Sequence, residues 1–94
     1  MDRGFFINGR WEYPTGLDRF EIVNPANGEP VGTTLLADAA VVDRCVDAAE
    51  AVATSFALMP ARTRADMLRK ATTLIEERVD DMARLLTREQ GKPV

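Results

Sequence analysis

The sequence predicts an α+β chain in which β-hairpins over residues 1–37 are followed by three helices over residues 38–94. Two observations support this prediction. The first third of the chain has short apolar segments and two Asn-Gly dipeptides, which are the strongest local signal for hairpin turns. After Asp38 the spacing of the apolar residues changes from two to about 3.6, the period of an amphipathic helix.

The predicted strands lie in the segments FFINGRWEY, FEIV and PVGTTLLA. Asn8-Gly9 divides the first segment, and both residues tolerate the positive φ that a type I′ turn requires. Trp11 and Tyr13 are two positions apart and therefore share one face of the return strand. The chain turns again at Asn27-Gly28, and Pro30 begins the last strand, where its missing N–H is tolerated.

Each predicted helix boundary has a capping or breaking residue. Asp38 is suited to cap the first helix, and Pro60 ends that helix and opens the second. The remaining helical pattern predicts either one helix or two with a break near Asp80-Asp81. We favour two, because Asp80 can cap a new N-terminus and adjacent acids stabilise a first turn. Gly91 then stands at a C-cap position.

Composition excludes several classes of protein. The 94 residues are 46% hydrophobic and 29% charged, and the net charge of −3 lacks the basic excess of a nucleic-acid binder. No apolar run approaches the roughly 20 residues of a membrane span. We therefore expect a soluble, cytoplasmic protein with neither a nucleic-acid nor a membrane partner. Histidine is absent, which removes the commonest general base and metal ligand.

The cysteine and glycine patterns predict no catalytic and no cofactor-binding residue in this chain. Cys45 is the only cysteine, and its place on the apolar stripe of the first helix predicts a small, buried, inert side chain. Gly91-Lys92 does not belong to a P-loop, because Leu86 and Pro93 occupy the positions that need Gly and Ser or Thr. No Gly-x-Gly-x-x-Gly motif occurs.

Glu89 has an unfavourable predicted position in the last turn of the third helix. Unpaired carbonyls and the helix dipole disfavour a carboxylate there by about 0.3–1 kcal/mol. A bound cation would reverse this penalty, because carboxylate and carbonyl oxygens are ligands for hard ions. Arg88, Lys92 or solvent can also offset it, and the spacing alone favours this simpler explanation.

Four segments in series resemble the N-terminal part of the aldehyde dehydrogenase superfamily. They are FFINGRW, FEIVNPANGEPVG, LADAAVVDRCVDAAEAV and RADMLRKATTLIEERVDDMARLLTREQGKPV. The resemblance extends from Phe5 to Val94, and the ending Glu-Gln-Gly-Lys-Pro is most similar to the succinate-semialdehyde dehydrogenase branch.

This resemblance implies that residues 1–94 are the incomplete first part of an α/β Rossmann-like cofactor-binding domain. The complete enzyme would oxidise a small aldehyde with NAD or NADP. Its catalytic cysteine, general-base glutamate and cofactor contacts would lie beyond Val94, so that the segment alone is inactive. Several family members also hold a structural Na⁺ or K⁺, and the matching ligands would be the carbonyls of Ile22 and Val23 and the side chain of Glu89.

A function of a different class stays open, which is a stand-alone binding or oligomerisation module derived from this segment. The apolar stripes of the three predicted helices would normally pack on a sheet that the sequence does not supply. Exposed apolar patches larger than a few hundred Å² usually form interfaces. We therefore expect the partner to be either the rest of a dehydrogenase chain or a second copy.

Overall fold

A computed structural model describes residues 2–94 of the chain. All strands in these residues precede the helices. The described residues form the strands β1 (Asp2–Arg3), β2 (Phe5–Ile7), β3 (Arg10–Glu12), β4 (Arg19–Val23) and β5 (Pro30–Leu35), and the helices α1 (Ala39–Leu58), α2 (Ala61–Glu76) and α3 (Val79–Gln90). This order confirms the predicted α+β class and the three predicted helices.

The first hairpin pairs β2 with β3 around the predicted Asn-Gly turn. Asn8 and Gly9 both have positive φ, at 51° and 79°, as the mirror-image hairpin turn requires. Phe6 pairs with Trp11 across the two strands, and their ring centroids lie 5.4 Å apart in a tilted arrangement. Aromatic cross-strand pairs of this kind stabilise a short hairpin.

The second sheet has the strand order β1-β5-β4, with β4 and β5 antiparallel and β1 parallel to β5. The turn between β4 and β5 is closed by the N–H of Gly28, which donates to the Asn24 carbonyl at 2.8 Å. The Asn24 side chain also accepts a hydrogen bond from the Ala26 N–H at 2.9 Å. The pairing of β1 with β5 was not predicted, because a two-residue strand has too few residues to show a period.

The boundaries of α1 and α2 confirm two of the predicted signals. Asp38 caps α1, and its carboxylate accepts a hydrogen bond from the Val41 N–H at 2.9 Å. Pro60 separates α1 from α2. The prediction that Asp80 caps the third helix is wrong, because α3 begins at Val79 and Asp80 lies inside its first turn.

The break before α3 comes from the end of α2. The Arg78 N–H donates to the Ile75 carbonyl at 3.0 Å, which tightens the last turn, and Arg78 then takes φ −120° as the N-cap of α3. Asp80 and Asp81 therefore lie in the first turn, where the positive end of the helix dipole favours carboxylates.

The buried side chains lie where the sheets meet the start of α1, and the end of α3 also packs on β4. Among the described residues the buried hydrophobic side chains are Ile7, Leu35 and Val41. An ion pair of 2.9 Å between Arg44 and Glu12 also joins α1 to β3. The chain is flat, at 49 × 35 × 17 Å, with a radius of gyration of 17.0 Å. A compact domain of this length has a radius of about 12 Å, so much of the helical surface has no cover.

Candidate functional site

A cleft of about 460 Å³ lies between the three-stranded sheet and α3. Its walls include Trp11 from β3, Ile22 from β4, Gly32 from β5, and Leu85 and Glu89 from α3. With Arg3 of β1, which also lines it, the cleft collects residues from five elements. It contains two of the residues predicted to bind a cation, Ile22 and Glu89.

The β4–β5 turn and the end of α3 pack against each other and so place Glu89 beside β4. Gly91 ends α3 in the left-handed conformation at φ 80°, and its N–H donates to the Thr87 carbonyl at 2.8 Å. A Cβ atom at Gly91 would lie 3.0 Å from Cγ of Pro25, so the chain passes close to the turn here. The Thr87 hydroxyl also donates to the Lys92 carbonyl, which holds the residues that follow the helix.

The cleft contains charges of both signs. Glu89 lies in the last turn of α3, where the helix dipole is negative, and Arg88 is the basic residue of the same turn. Arg3 of β1 lines the same cleft as Glu89. The cleft is thus lined by one acidic and one basic side chain.

Two of the three predicted cation ligands, Ile22 and Glu89, line this cleft. Val23 follows Ile22 in β4, where the register between β4 and β5 shifts, and its side chain is 41% exposed. Its carbonyl is therefore one residue from the cleft wall. The sequence did not predict that Arg3 lies in this cleft, because the position of Arg3 depends on the parallel pairing of β1 with β5.

Within residues 2–94, no group of three or more His, Cys, Asp or Glu side chains is suited to hold a metal ion. A cation at this cleft would therefore depend on backbone carbonyls together with a single carboxylate. Oxygen ligands of this kind suit a hard ion and do not suit zinc or copper.

Cys45 is exposed, so the prediction that it belongs to a buried core is wrong. It lies on α1 in a shallow groove of about 510 Å³ beside the first hairpin, with Phe6, Asn8 and Val52 among the lining residues. The apolar stripe of α1 has no covering element among the described residues, and only Val41 of this helix is buried. This groove is separate from the cleft that holds Glu89.

A dinucleotide does not fit the connection between β5 and α1. Phosphates bind at helix N-termini where backbone N–H groups are unpaired and glycines allow close approach. Here Asp38 places a carboxylate at that end of α1 and accepts the hydrogen bond of the Val41 N–H. The connection also contains no glycine.

None of the helices in residues 2–94 combines the length and the hydropathy that crossing a bilayer requires.

The chain shares its sequence pattern with a known family of enzymes. The sequence profile described as "Aldehyde dehydrogenase family" matches residues 11–94. The chain belongs to the aldehyde dehydrogenase family. This finding confirms the resemblance that the four sequence segments indicated.

Similar curated members of the aldehyde dehydrogenase family include two semialdehyde dehydrogenases. The chain is 36% identical over 89 residues to the glutarate-semialdehyde dehydrogenase of Pseudomonas putida, and the match covers 95% of this chain. It is 36% identical over 88 residues to the succinate-semialdehyde dehydrogenase [NADP(+)] of Escherichia coli strain K12, covering 94% of this chain. The matched region spans 18% of the length of each relative.

Proposed function

We propose that this chain is a segment of a cytoplasmic enzyme that oxidises a small semialdehyde to the corresponding dicarboxylate. The observation that carries the proposal is the 36% identity to two semialdehyde dehydrogenases over nearly the whole chain. Aldehyde and water would give the acid, while a hydride passes to NAD or NADP and protons are released.

In this proposal the residues of the chain support the structure of the enzyme and take no part in its chemistry. Among the described residues 2–94, the one helix N-terminus that directly follows a strand is that of α1, which is capped by Asp38 and does not fit a nucleotide phosphate. Cys45 lies in a groove with no basic or acidic residue in its lining, so nothing there activates a thiolate. We therefore assign the chemistry to residues outside this segment.

The experiment is an activity assay of the protein encoded by the complete open reading frame that contains residues 1–94. Succinate and glutarate semialdehydes are each compared with the uncharged aldehyde of equal chain length, with NAD and with NADP. We expect reduced cofactor to form and kcat/KM to be higher for the semialdehydes. The 94-residue chain alone serves as the control and should form none. A folded complete protein that reduces neither cofactor with any aldehyde contradicts the proposal.

The proposal includes a structural Na⁺ or K⁺ held by the carbonyls of Ile22 and Val23 and the carboxylate of Glu89. Its support is the cleft that Ile22 and Glu89 share, together with the unfavourable position of Glu89 at the end of a helix dipole. In this role the ion would join β4 to α3 and stabilise their packing without taking part in the chemistry.

Thermal unfolding of the complete protein tests the cation. We expect NaCl or KCl to stabilise it by about 1–3 kcal/mol relative to choline chloride at equal ionic strength, because a bound ion favours the folded state. Glu89→Gln should remove this difference, whereas Glu50→Gln, on the exposed surface of α1, should retain it. Equal unfolding temperatures in all three salts count against the site.

A further inference from the structure

The chain contains two Asn-Gly dipeptides, and both lie between strands. Asn8-Gly9 joins β2 to β3, and Asn27-Gly28 lies in the connection between β4 and β5. All four residues are exposed. A Cβ atom at either glycine would meet no atom within 4 Å, so water reaches both turns. Asparagine deamidates most readily when glycine follows it, because glycine has no side chain to hinder the attack of its nitrogen.

Deamidation of such a pair proceeds in two steps that need only water. In the first step the glycine nitrogen bonds to Cγ of the asparagine, and the bond from Cγ to the side-chain nitrogen breaks. The proton of the glycine N–H leaves with that nitrogen as ammonia, and a cyclic imide remains. In the second step one water molecule opens the ring. Hydrolysis at Cγ gives aspartate, and hydrolysis at the backbone carbonyl gives isoaspartate.

The Asn27-Gly28 pair is held by hydrogen bonds that oppose this reaction. The Gly28 N–H, which would have to lose its proton, donates to the Asn24 carbonyl at 2.8 Å. The side-chain oxygen of Asn27 accepts a hydrogen bond from the Glu29 N–H at 3.0 Å. The NH₂ group of the same side chain donates to the Glu29 carboxylate at 3.3 Å. Both reacting groups are therefore fixed, and these hydrogen bonds must break before the ring closes.

The Asn8-Gly9 pair lacks these restraints. Within residues 2–94, neither the Asn8 side chain nor the Gly9 N–H forms a hydrogen bond. The strand pairing ends at Ile7 and Arg10, which flank the turn. In a two-residue hairpin turn the central residues lie outside the ladder, which explains why this N–H has no partner.

The strands around Asn8 are also the easier pair to separate. β2 and β3 form a sheet of their own with three residue pairs, whereas β4 and β5 belong to a three-stranded sheet. Two-stranded hairpins are only marginally stable by themselves. Ring closure requires rotation about the Cα–C bond of Asn8, and a short hairpin permits this rotation more readily than a larger sheet does.

We propose that Asn8 is a site of spontaneous deamidation, and that the fold protects Asn27 from the same reaction. The aspartate product keeps the hairpin, because Asp-Gly also suits this turn. The isoaspartate product lengthens the backbone by one methylene group, so the turn no longer matches the pairing of Ile7 with Arg10. The hairpin then opens and uncovers Ile7, which is otherwise buried. The inference is independent of the dehydrogenase activity, because it is tested without substrate or cofactor.

The experiment follows both dipeptides in one sample of the protein encoded by the complete open reading frame. The folded protein is aged in mildly alkaline buffer and then digested with trypsin, with an unaged sample as the background. Cleavage after arginine places Asn8 in residues 4–10 and Asn27 in residues 20–44. Asn24 shares the second peptide but precedes Pro25, whose nitrogen has no proton to lose, so it does not form the imide.

Mass spectrometry measures the replacement of NH₂ by OH in each peptide over time. We expect Asn8 to deamidate at least about tenfold faster than Asn27, because three hydrogen bonds must break at the second site alone. Synthetic peptides of residues 4–10 with aspartate or isoaspartate identify the two products by chromatography. Hydrogen exchange should be faster in the hairpin of aged protein than in that of fresh protein.

Two controls separate the effect of the fold from that of the dipeptide. In denaturing urea the protecting hydrogen bonds are lost, and the two sites should react within about threefold of each other. The Asn8→Gly variant retains a residue that suits positive φ but has no side chain to cyclise. Its residues 4–10 should gain no OH group, and its hairpin should exchange hydrogen equally before and after ageing.

Three results would overturn the proposal. The first is equal deamidation of the two sites in the folded protein, and the second is faster deamidation at Asn27. The third is an Asn8 that stays intact in the folded protein for as long as the urea-treated sample needs to react completely.

Discussion

The start of α1 and the whole of α2 differ in how much of each helix is buried by the rest of the described protein. At the start of α1, Val41 is 2% exposed against the β-rich part, and Arg44 forms an ion pair with Glu12. α2 has no buried residue within the described chain. Polar contacts lie within this helix, such as the hydrogen bond that the Thr72 hydroxyl donates to the Leu68 carbonyl.

This difference shows that helix formation and helix packing have separate causes here. The apolar period and the flanking proline suffice to define α2, although nothing in residues 2–94 buries its apolar side. Isolated helices of this length are marginal in water. We therefore expect substitutions at the start of α1 to affect the whole fold and substitutions on α2 to have only local effects.

The largest expected effect comes from breaking the buried contact of α1. Val41→Asp would place an unpaired carboxylate in the small core and should lower the free energy of unfolding by about 4 kcal/mol. Val46→Asp, at an exposed site on the same helix, should lower it by less than about 1 kcal/mol. Urea unfolding followed by circular dichroism measures both, and equal losses would contradict the assigned core.

The next largest effect tests how closely Gly4, between β1 and β2, approaches the end of β3. A Cβ atom at Gly4 would lie 2.3 Å from the Glu12 carbonyl oxygen and 2.7 Å from Cδ1 of Tyr13. Gly4→Ala should therefore cost about 2 kcal/mol through overpacking. Gly32→Ala is the control, because no atom lies within 4 Å of its added methyl group. A Gly4→Ala protein as stable as the control would show that the strands separate easily.

A smaller effect concerns the cap of α1. Asp38→Ala removes the side-chain hydrogen bond to the Val41 N–H and should cost about 1 kcal/mol. Asp47→Ala changes an exposed acid in the interior of the same helix and should cost less than about 0.5 kcal/mol. The helical circular dichroism signal near the unfolding midpoint compares the two variants. A larger loss for Asp47→Ala would argue against the cap.

The smallest effect separates a tertiary ion pair from a local one. A double-mutant cycle on Glu12 and Arg44 should give a coupling of about 0.5 kcal/mol that decreases with salt. The more exposed pair of Asp66 and Arg69 on α2 should give a smaller coupling, because solvent screens it more strongly. The two couplings come from matched urea titrations. The reverse order would contradict the comparison between α1 and α2.

Local signals in the sequence predicted the features that depend on neighbouring residues. Asn8-Gly9 adopts the positive φ values expected for its turn, Asp38 caps α1, and Gly91 ends α3 in the left-handed conformation. Each of these features is decided within about four residues, by steric freedom or by a single hydrogen bond.

Features that depend on distant contacts were predicted less well. The burial of Cys45 was wrong, because an apolar stripe shows which side of a helix is suited to burial and does not show whether anything covers it. One local feature, the cap at Asp80, was also wrong, because the turn at Arg78 already ended α2. Arg3 was not expected in the cleft, since its place depends on a pairing with β5.

The sequence by itself determined the order of strands and helices, the turn chemistry and the membership of the aldehyde dehydrogenase family. Only the tertiary structure decided that Ile22 and Glu89 share a cleft, that Val41 supplies the buried contact of α1, and that the large apolar side chains of α3 are exposed. The physical reason is the distance along the chain over which each kind of interaction acts. Backbone preferences act within a few residues, whereas burial and clefts arise from contacts between elements far apart in the chain.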